Sequence, residues 1–281
     1  MRNILGKVAF FTAFTALMIF ILSPIVWILL MSFKDYADVI AYPPKFLFTP
    51  TLDNYRDVLV GAGSDTAGEA AQFRQYLLNS VIVSGGAVLL SLIVGVPAAF
   101  ALSRQRIRGS DHLAFTFLSF RFAPELAIII PLYAFFQQVK LYDSYIGLIL
   151  AHQLITIPLV VWIVRTFLAD VPLEIEEAAQ LDGCGSWRVL WLIVAPVIKP
   201  GIASAAILAF IFSWNNLLMG LVLSGVSTRP VTVGIMEAIG FDQIRWGWMA
   251  AAAMIAAVPG MIIAVYLQRY IVSGLKAGIV K

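Results

Sequence analysis

Apolar residues in this chain come in long unbroken blocks, not in the spacings of an amphipathic helix or a half-buried strand. Val8 to Phe33 carries no charge and lies between Lys7 and Lys34. Gln75 to Ser103, Ser144 to Val164, Pro200 to Thr228 and Trp246 to Gln268 are likewise uncharged, and Leu113 to Val139 is interrupted only by Arg121 and Glu125. About 20 apolar residues in a helix cross the hydrocarbon core of a bilayer. The blocks predict an all-α membrane protein with six transmembrane helices at 8–33, 76–103, 113–139, 144–164, 200–228 and 246–268, in a single transmembrane domain over 1–281. The first block is well over twice a secretory h-region and closes without a small-x-small cleavage site, so it reads as a retained span.

The polar connections differ in kind. Residues 34–74 mix acids and bases around Pro43-Pro44, Pro50 and Gly61-Ala62-Gly63-Ser64, the pattern of a solvated loop with a local insertion near 61–72. Residues 104–108 are basic, and 169–199 form a loop that holds a small charged island at Glu177 to Gly183. Within that loop Asp170-Val171-Pro172 predicts a helix start, Leu173 to Leu181 contains no breaker, and Gly183 suits a left-handed stop. Ser186 is placed to cap a second turn running through Trp187 towards Pro196. A short helix, a tight corner and a second helix lying beside the bilayer suit docking to another protein. Asp170, Glu174, Glu176, Glu177 and Asp182 read as a solvated face towards a basic partner, since no nucleophile or metal-spaced histidine accompanies them.

Composition narrows the function. The 281 residues are 61% hydrophobic and 12% charged, which no soluble domain of this size could bury. A net charge of +3 with scattered basic residues argues against nucleic acid as a partner. One cysteine, Cys184, excludes an internal disulfide and a cysteine metal cluster, and reads as a small filler; no metal site is expected. His152, alone in its span, reads as a packing residue. The chain has no Gly-rich loop ending in Gly-Lys-Ser/Thr, so it is expected to bind no ATP by that route. An ion-driven transporter would show paired broken spans and several intramembrane acids, of which only Glu125 is a candidate. With both ends inside, eleven of the nineteen basic residues fall on the cytoplasmic side, the Arg104, Arg106 and Arg108 cluster among them.

Glu177-Ala178-Ala179-Gln180-Leu181-Asp182-Gly183, followed by an apolar-aromatic helix and Pro196, closely resembles the cytoplasmic loop of permease subunits of binding-protein-dependent ABC importers. Three further stretches resemble the carbohydrate, maltose-type branch and its smaller permease subunit. These are Thr51-Leu52-Asp53-Asn54-Tyr55, the "F-x-W-N" run at Phe212 to Asn215, and the tail from Gln268-Arg269 to Gly274-Leu275 and Gly278. Asn216 stands where an acid commonly follows in relatives. The resemblance implies a type I ABC importer permease fold in the bacterial or archaeal cell membrane, in which 173–181 is a coupling helix. Glu177, Ala178, Ala179, Asp182, Gly183, Ser186 and Trp187 would contact the ATPase. The implied partners are two ATP-binding subunits that hold ATP and magnesium, a second permease, a periplasmic or lipid-anchored solute-binding protein, membrane lipid and a sugar or polyol. The chain itself would be no enzyme and hold no cofactor.

Hydroxyl-rich solutes need amide and indole groups in an apolar pore, so Trp214, Asn215 and Asn216 are candidates for the substrate path, with packing between spans as their alternative. Arg121 and Glu125, four residues apart across Pro124, either pair structurally or line the path.

Overall fold

The computed structural model describes residues 2–61, 67–105, 109–120, 123–240 and 244–278, and the side chains of these except 2–5, 67, 69, 118, 120, 264 and 266–278. The chain begins with α1 (Arg2–Ser32), α2 (Tyr36–Val39) and α3 (Asp53–Leu59), then α4 (Ala67–Arg104) and α5 (Ser110–Phe120). α6 (Glu125–Gln138), α7 (Tyr145–Ala169), α8 (Leu173–Leu181) and α9 (Ser186–Arg188) follow, the last running through a π-helical turn (Val189–Val194) into α10 (Ala195–Val197). α11 (Lys199–Trp214), α12 (Leu218–Leu223), α13 (Val231–Ile235) and α14 (Trp246–Gly278) complete it. The only pairing of the β type among the described residues is a single bridge between Ile239 and Ile244.

Among the described residues four helices are long and apolar enough to cross a membrane, and a fifth is obtained only by joining Ser186–Val197 to Lys199–Trp214, which meet at 84°. The expected span at 113–139 divides instead into α5 and α6. Pro124, in extended conformation, occupies the N-cap of α6, because a proline lacks the N–H that would continue a helix through it. The expected span at 200–228 also divides. α11 ends at Trp214, α12 begins at Leu218, and Asn215 and Asn216 occupy the break.

Two compact units share the chain, one of residues 1–75 with 234–258 and one of 76–233 with 259–281. In the first, the segment 51–55 is more than a solvated loop. Asn54 donates from Nδ2 to the carbonyls of Ser32 (3.0 Å) and Lys34 (2.9 Å), and the hydroxyls of Tyr55 and Ser32 meet at 2.8 Å. These bonds satisfy carbonyls left open where α1 ends. Lys34 is buried, with its ammonium on the Lys45 carbonyl and over the rings of Trp27 and Phe48 at 4.9 and 5.0 Å, so aromatic faces share its solvation. The span of α1 itself has an exposed, apolar surface along its length.

The core of the second unit is α7 against α11 and α4. α11 presents Gly201, Ala205, Ala209 and Ser213 at four-residue intervals, all buried, which lets two backbones approach where van der Waals packing replaces the hydrophobic drive. A Cβ on Gly201 would stand 2.4 Å from the Phe167 ring, and one on Gly95 would stand 2.8 Å from Val160. Of the adjacent Gly85 and Gly86, the second packs closely, since a Cβ on Gly86 would meet the Ile149 side chain while Gly85 faces open space. His152 is a packing residue as expected, buried with Nδ1 2.7 Å from the Leu148 carbonyl.

Buried polar groups tie the 224–231 loop to this core. Asn79 donates to the carbonyls of Ser227 and Arg229 and accepts from the Tyr145 hydroxyl (2.7 Å), and Ser80 Oγ accepts from the Val231 N–H (2.8 Å). Asp143, in the left-handed region at φ 50°, accepts from the N–H groups of Gly225, Ser227 and Thr228 and from the Thr228 hydroxyl. Burial pushes its carboxyl up, but these four hydrogen bonds together outweigh burial and hold it below the ordinary carboxylate range. A depressed folded value means stability that is present above the unfolded value of about 3.9 and lost as pH falls through the folded one. Asp143→Asn should therefore cost about 1 kcal/mol at neutral pH and flatten the acid limb of the stability curve. Melting in detergent from pH 7 to 3 checks this, and parallel acid limbs in both proteins would refute it.

Candidate functional site

The charged island folds as its residues dictate. α8 ends in a Schellman closure: Gly183, at φ 84°, donates to the Gln180 carbonyl and Cys184 donates to that of Ala179, both at 3.0 Å. The predicted bounds 173–181 and the left-handed glycine are those observed. Two local details differ. Asp170 caps the end of α7 instead of the start of α8, and Ser186 is the first residue of α9 behind an N-cap at Gly185, so it supplies no side-chain cap.

Of the nine residues of α8 only Glu176 and Ala179 are buried, one turn apart on the face towards the protein. Glu177, Ala178, Asp182, Gly183 and Ser186 are exposed. Leu181 is 90% exposed, and Trp187, edge-to-face on Trp191 with centroids 6.0 Å apart, is 65% exposed. Cys184 packs partly buried against the core, the filler it was read as. Glu176 departs from the reading of five solvated acids. Its carboxylate meets Arg104 Nε at 2.7 Å, with side chains 5% and 13% exposed.

A cavity of about 300 Å³ opens between α6, α7 and the break after α11. Glu125, Asn215 and Asn216 supply its polar wall, and Ile128, Leu132, Leu154, Ile155 and Phe212 are among its apolar side chains. Asn216 donates from Nδ2 to Glu125 Oε1 at 2.7 Å and accepts from the Met219 N–H at 2.9 Å, so it caps α12 and orients the carboxylate at once. Asn215 donates back to the Ile211 carbonyl at 2.8 Å. Trp214 is buried, stacked on Phe210 at 5.4 Å, and is not among the residues that line this cavity. Arg121 lies outside the described residues, and the observed partner of Glu125 is Asn216.

The sequence model of the family described as "Binding-protein-dependent transport system inner membrane component" matches residues 91–277, which take in both the α8 loop and the cavity wall. The chain is a member of that family. This permease is 33% identical over 274 residues to a probable ABC transporter permease protein of Sinorhizobium fredii, covering 96% of this chain and 94% of the relative. It is 32% identical over 286 aligned positions to the diacetylchitobiose uptake system permease protein DasC of Streptomyces coelicolor, covering 100% of this chain and 99% of that one. In structure it is similar to a chain of a bacterial ABC transporter involved in the import of the acidic polysaccharide alginate. The TM-score is 0.79 at 21% identity, over 96% of this chain and 98% of the other.

Sequence reasoning missed Arg104 and Glu176 as partners. A signal existed, because Glu176 is the one acid three residues before Ala179 on the same helical face, but its partner lies 72 residues away. The tail motif from Gln268 to Gly278 lies in α14, and its side chains fall outside those described.

Proposed function

We propose that this permease is one half of a translocation pore for a sugar or related polyhydroxylated solute, fed by an extracytoplasmic binding protein and driven by ATPase subunits seated on α8. The observation that carries the reading is α8 itself. It is a capped helix whose inner face holds only two side chains while a leucine and charged residues stand outside it, as a docking element must. The sugar assignment rests on relatives named for diacetylchitobiose, trehalose and trehalose/maltose transport. In this reading six spans, two of them broken, place both termini in the cytoplasm. The ATP and magnesium belong to two partner subunits, and a second permease completes the pore, with the exposed surface of α1 facing lipid or that subunit.

Alternating access requires two discrete packings selected by ATP binding at the partners. The cavity fits the path in chemical terms: an apolar wall, two amides and one carboxylate offer hydrogen bonds worth about 1 kcal/mol each, weak enough for release. Asn216→Ala removes both the cap of α12 and the partner of Glu125. In proteoliposomes with partner subunits and loaded binding protein, Asn215→Ala and Asn216→Ala should lower uptake about five- to tenfold while stimulated ATP hydrolysis persists. Unchanged uptake, or a loss confined to assembly, would make these amides structural and place the path elsewhere.

A further inference from the structure

The end of α4 is joined to α8 by one side chain. Arg104, in the last turn of α4, donates from Nε to Glu176 Oε1 at 2.7 Å and from Nη2 to the carbonyls of Leu168 and Val171, both at 2.9 Å. Carbonyls at a helix end keep acceptor capacity, and the Leu168 carbonyl, which already accepts from the Val171 N–H, takes a second bond from a guanidinium fork that also binds a carboxylate. One planar group thus ties together the end of α4, the end of α7 and the inner face of α8.

The rest of the attachment is slight. Of its apolar side chains α8 fully buries only Ala179, which joins the core with Val189 and Leu190 of the π-helical turn, and it is bounded by the 170–172 turn before it and the Gly183 corner after it. A force applied to its outer face would let it roll on such an attachment unless something stiff resisted. Surface ion pairs resist little, but this pair is largely withdrawn from water, and its guanidinium is fixed by two further bonds to the Leu168 and Val171 carbonyls. A solvated acid would have no such effect on the motion of the spans.

We propose that Arg104 is a positioning residue which, through Glu176, makes α8 move as one body with the cytoplasmic ends of α4 and α7, so that partner closure is converted into movement of the spans. This rests on the reading of α8 as the docking helix. The strut acts after docking, so its loss should separate ATP consumption from transport instead of abolishing either partner binding or hydrolysis.

The test uses the whole complex, both permeases with their ATPases, in proteoliposomes with loaded binding protein. The readout is solute taken up per ATP hydrolysed. Arg104→Gln and Glu176→Gln should lower this ratio at least about fivefold, a typical coupling effect, while ATPase recovery stays near wild type. Arg104→Lys keeps the charge opposite Glu176 but loses the fork, and should fall between. A merely structural role would lower recovery of the complex and leave the ratio of the surviving fraction unchanged, and that result overturns the proposal, as does a wild-type ratio in all three variants. Should Arg104→Gln not be recovered, the near-isosteric Glu176→Gln and Arg104→Lys decide the matter by the same ratio. Failure of the docking reading looks different, because ATPase would then copurify undiminished with a variant of the outer face of α8, Leu181→Asp.

Discussion

Replacing Gly147 with alanine should destabilise the second unit by roughly 2–4 kcal/mol, the sum of an overpacked backbone contact and a lost helix cap. Gly147 lies in the first turn of α7, where its N–H donates to Ser144 Oγ at 3.0 Å. A Cβ there would sit 2.1 Å from the Leu141 carbonyl oxygen and 3.0 Å from Ser144 Oγ. The obstacle is backbone, not the far end of a flexible side chain. That carbonyl is pinned in turn, since Ser144 Oγ donates to it at 2.6 Å and the Leu141 N–H is held by Phe136. Relief would have to come from the 139–144 turn, which already carries Lys140 and Asp143 in the left-handed region and is fastened to the 224–228 loop through the Asp143 carboxylate. Gly85→Ala is the matched control, because a Cβ at Gly85 meets nothing within 4 Å and alanine favours helix. Thermal melting of the detergent-solubilised protein should separate the two variants by many degrees. Equal melting would show that the turn yields and that the carbonyl is not fixed.

The contrast between Gly147 and α8 shows what the sequence could convey. α8 was legible to the residue because its limits are set by its own neighbours, Pro172 before it and Gly183 after it. Apolar blocks announced the long helices for the same local reason, since length and hydropathy are properties of a stretch. The breaks in 113–139 and 200–228 were only half legible. Pro124 and the Asn215-Asn216 pair were visible as oddities, yet whether a helix bends through such residues or stops depends on what receives the freed backbone groups. In the second break Asn216 receives one of them, the Met219 N–H.

Long-range pairings were the illegible part. Glu125 looks in sequence like a partner for Arg121, four residues away, but its observed bond is to an amide 91 positions on. Glu176 looks like one acid among five, and its burial follows only from where Arg104 arrives at the end of another helix. Nothing in the sequence around Asn79 and Ser80 names the 227–231 loop as the source of their partners. Trp214 was grouped with the neighbouring asparagines for its indole, whereas the helix ends there and the indole packs on Phe210 while the amides line the cavity. Proximity in sequence carries little weight at such a boundary.

Leu181 carries the second large effect. Leu181, 90% exposed at the last turn of a polar nine-residue helix, shares the 173–187 loop with exposed Leu173, Ile175 and Trp187, and several exposed apolar side chains on one short element suit a partner surface. An anchoring side chain of this kind contributes about 2 kcal/mol or more to an interface, so Leu181→Asp should weaken ATPase docking at least about thirtyfold. The fold should be indifferent, since the side chain stands outside it. Glu177→Lys, also exposed and on the same helix, should act in the same direction by reversing a charge at the surface offered to the partner.

The measurement that bears most directly on the account is therefore the amount of ATPase that copurifies with the permease, taken together with ATP-dependent uptake, for wild type and Leu181→Asp at equal membrane expression. The account predicts stoichiometric ATPase and ATP-driven uptake for the wild type, and loss of both for the variant with an unchanged melting temperature of the permease. Undiminished copurification and uptake in Leu181→Asp would contradict it.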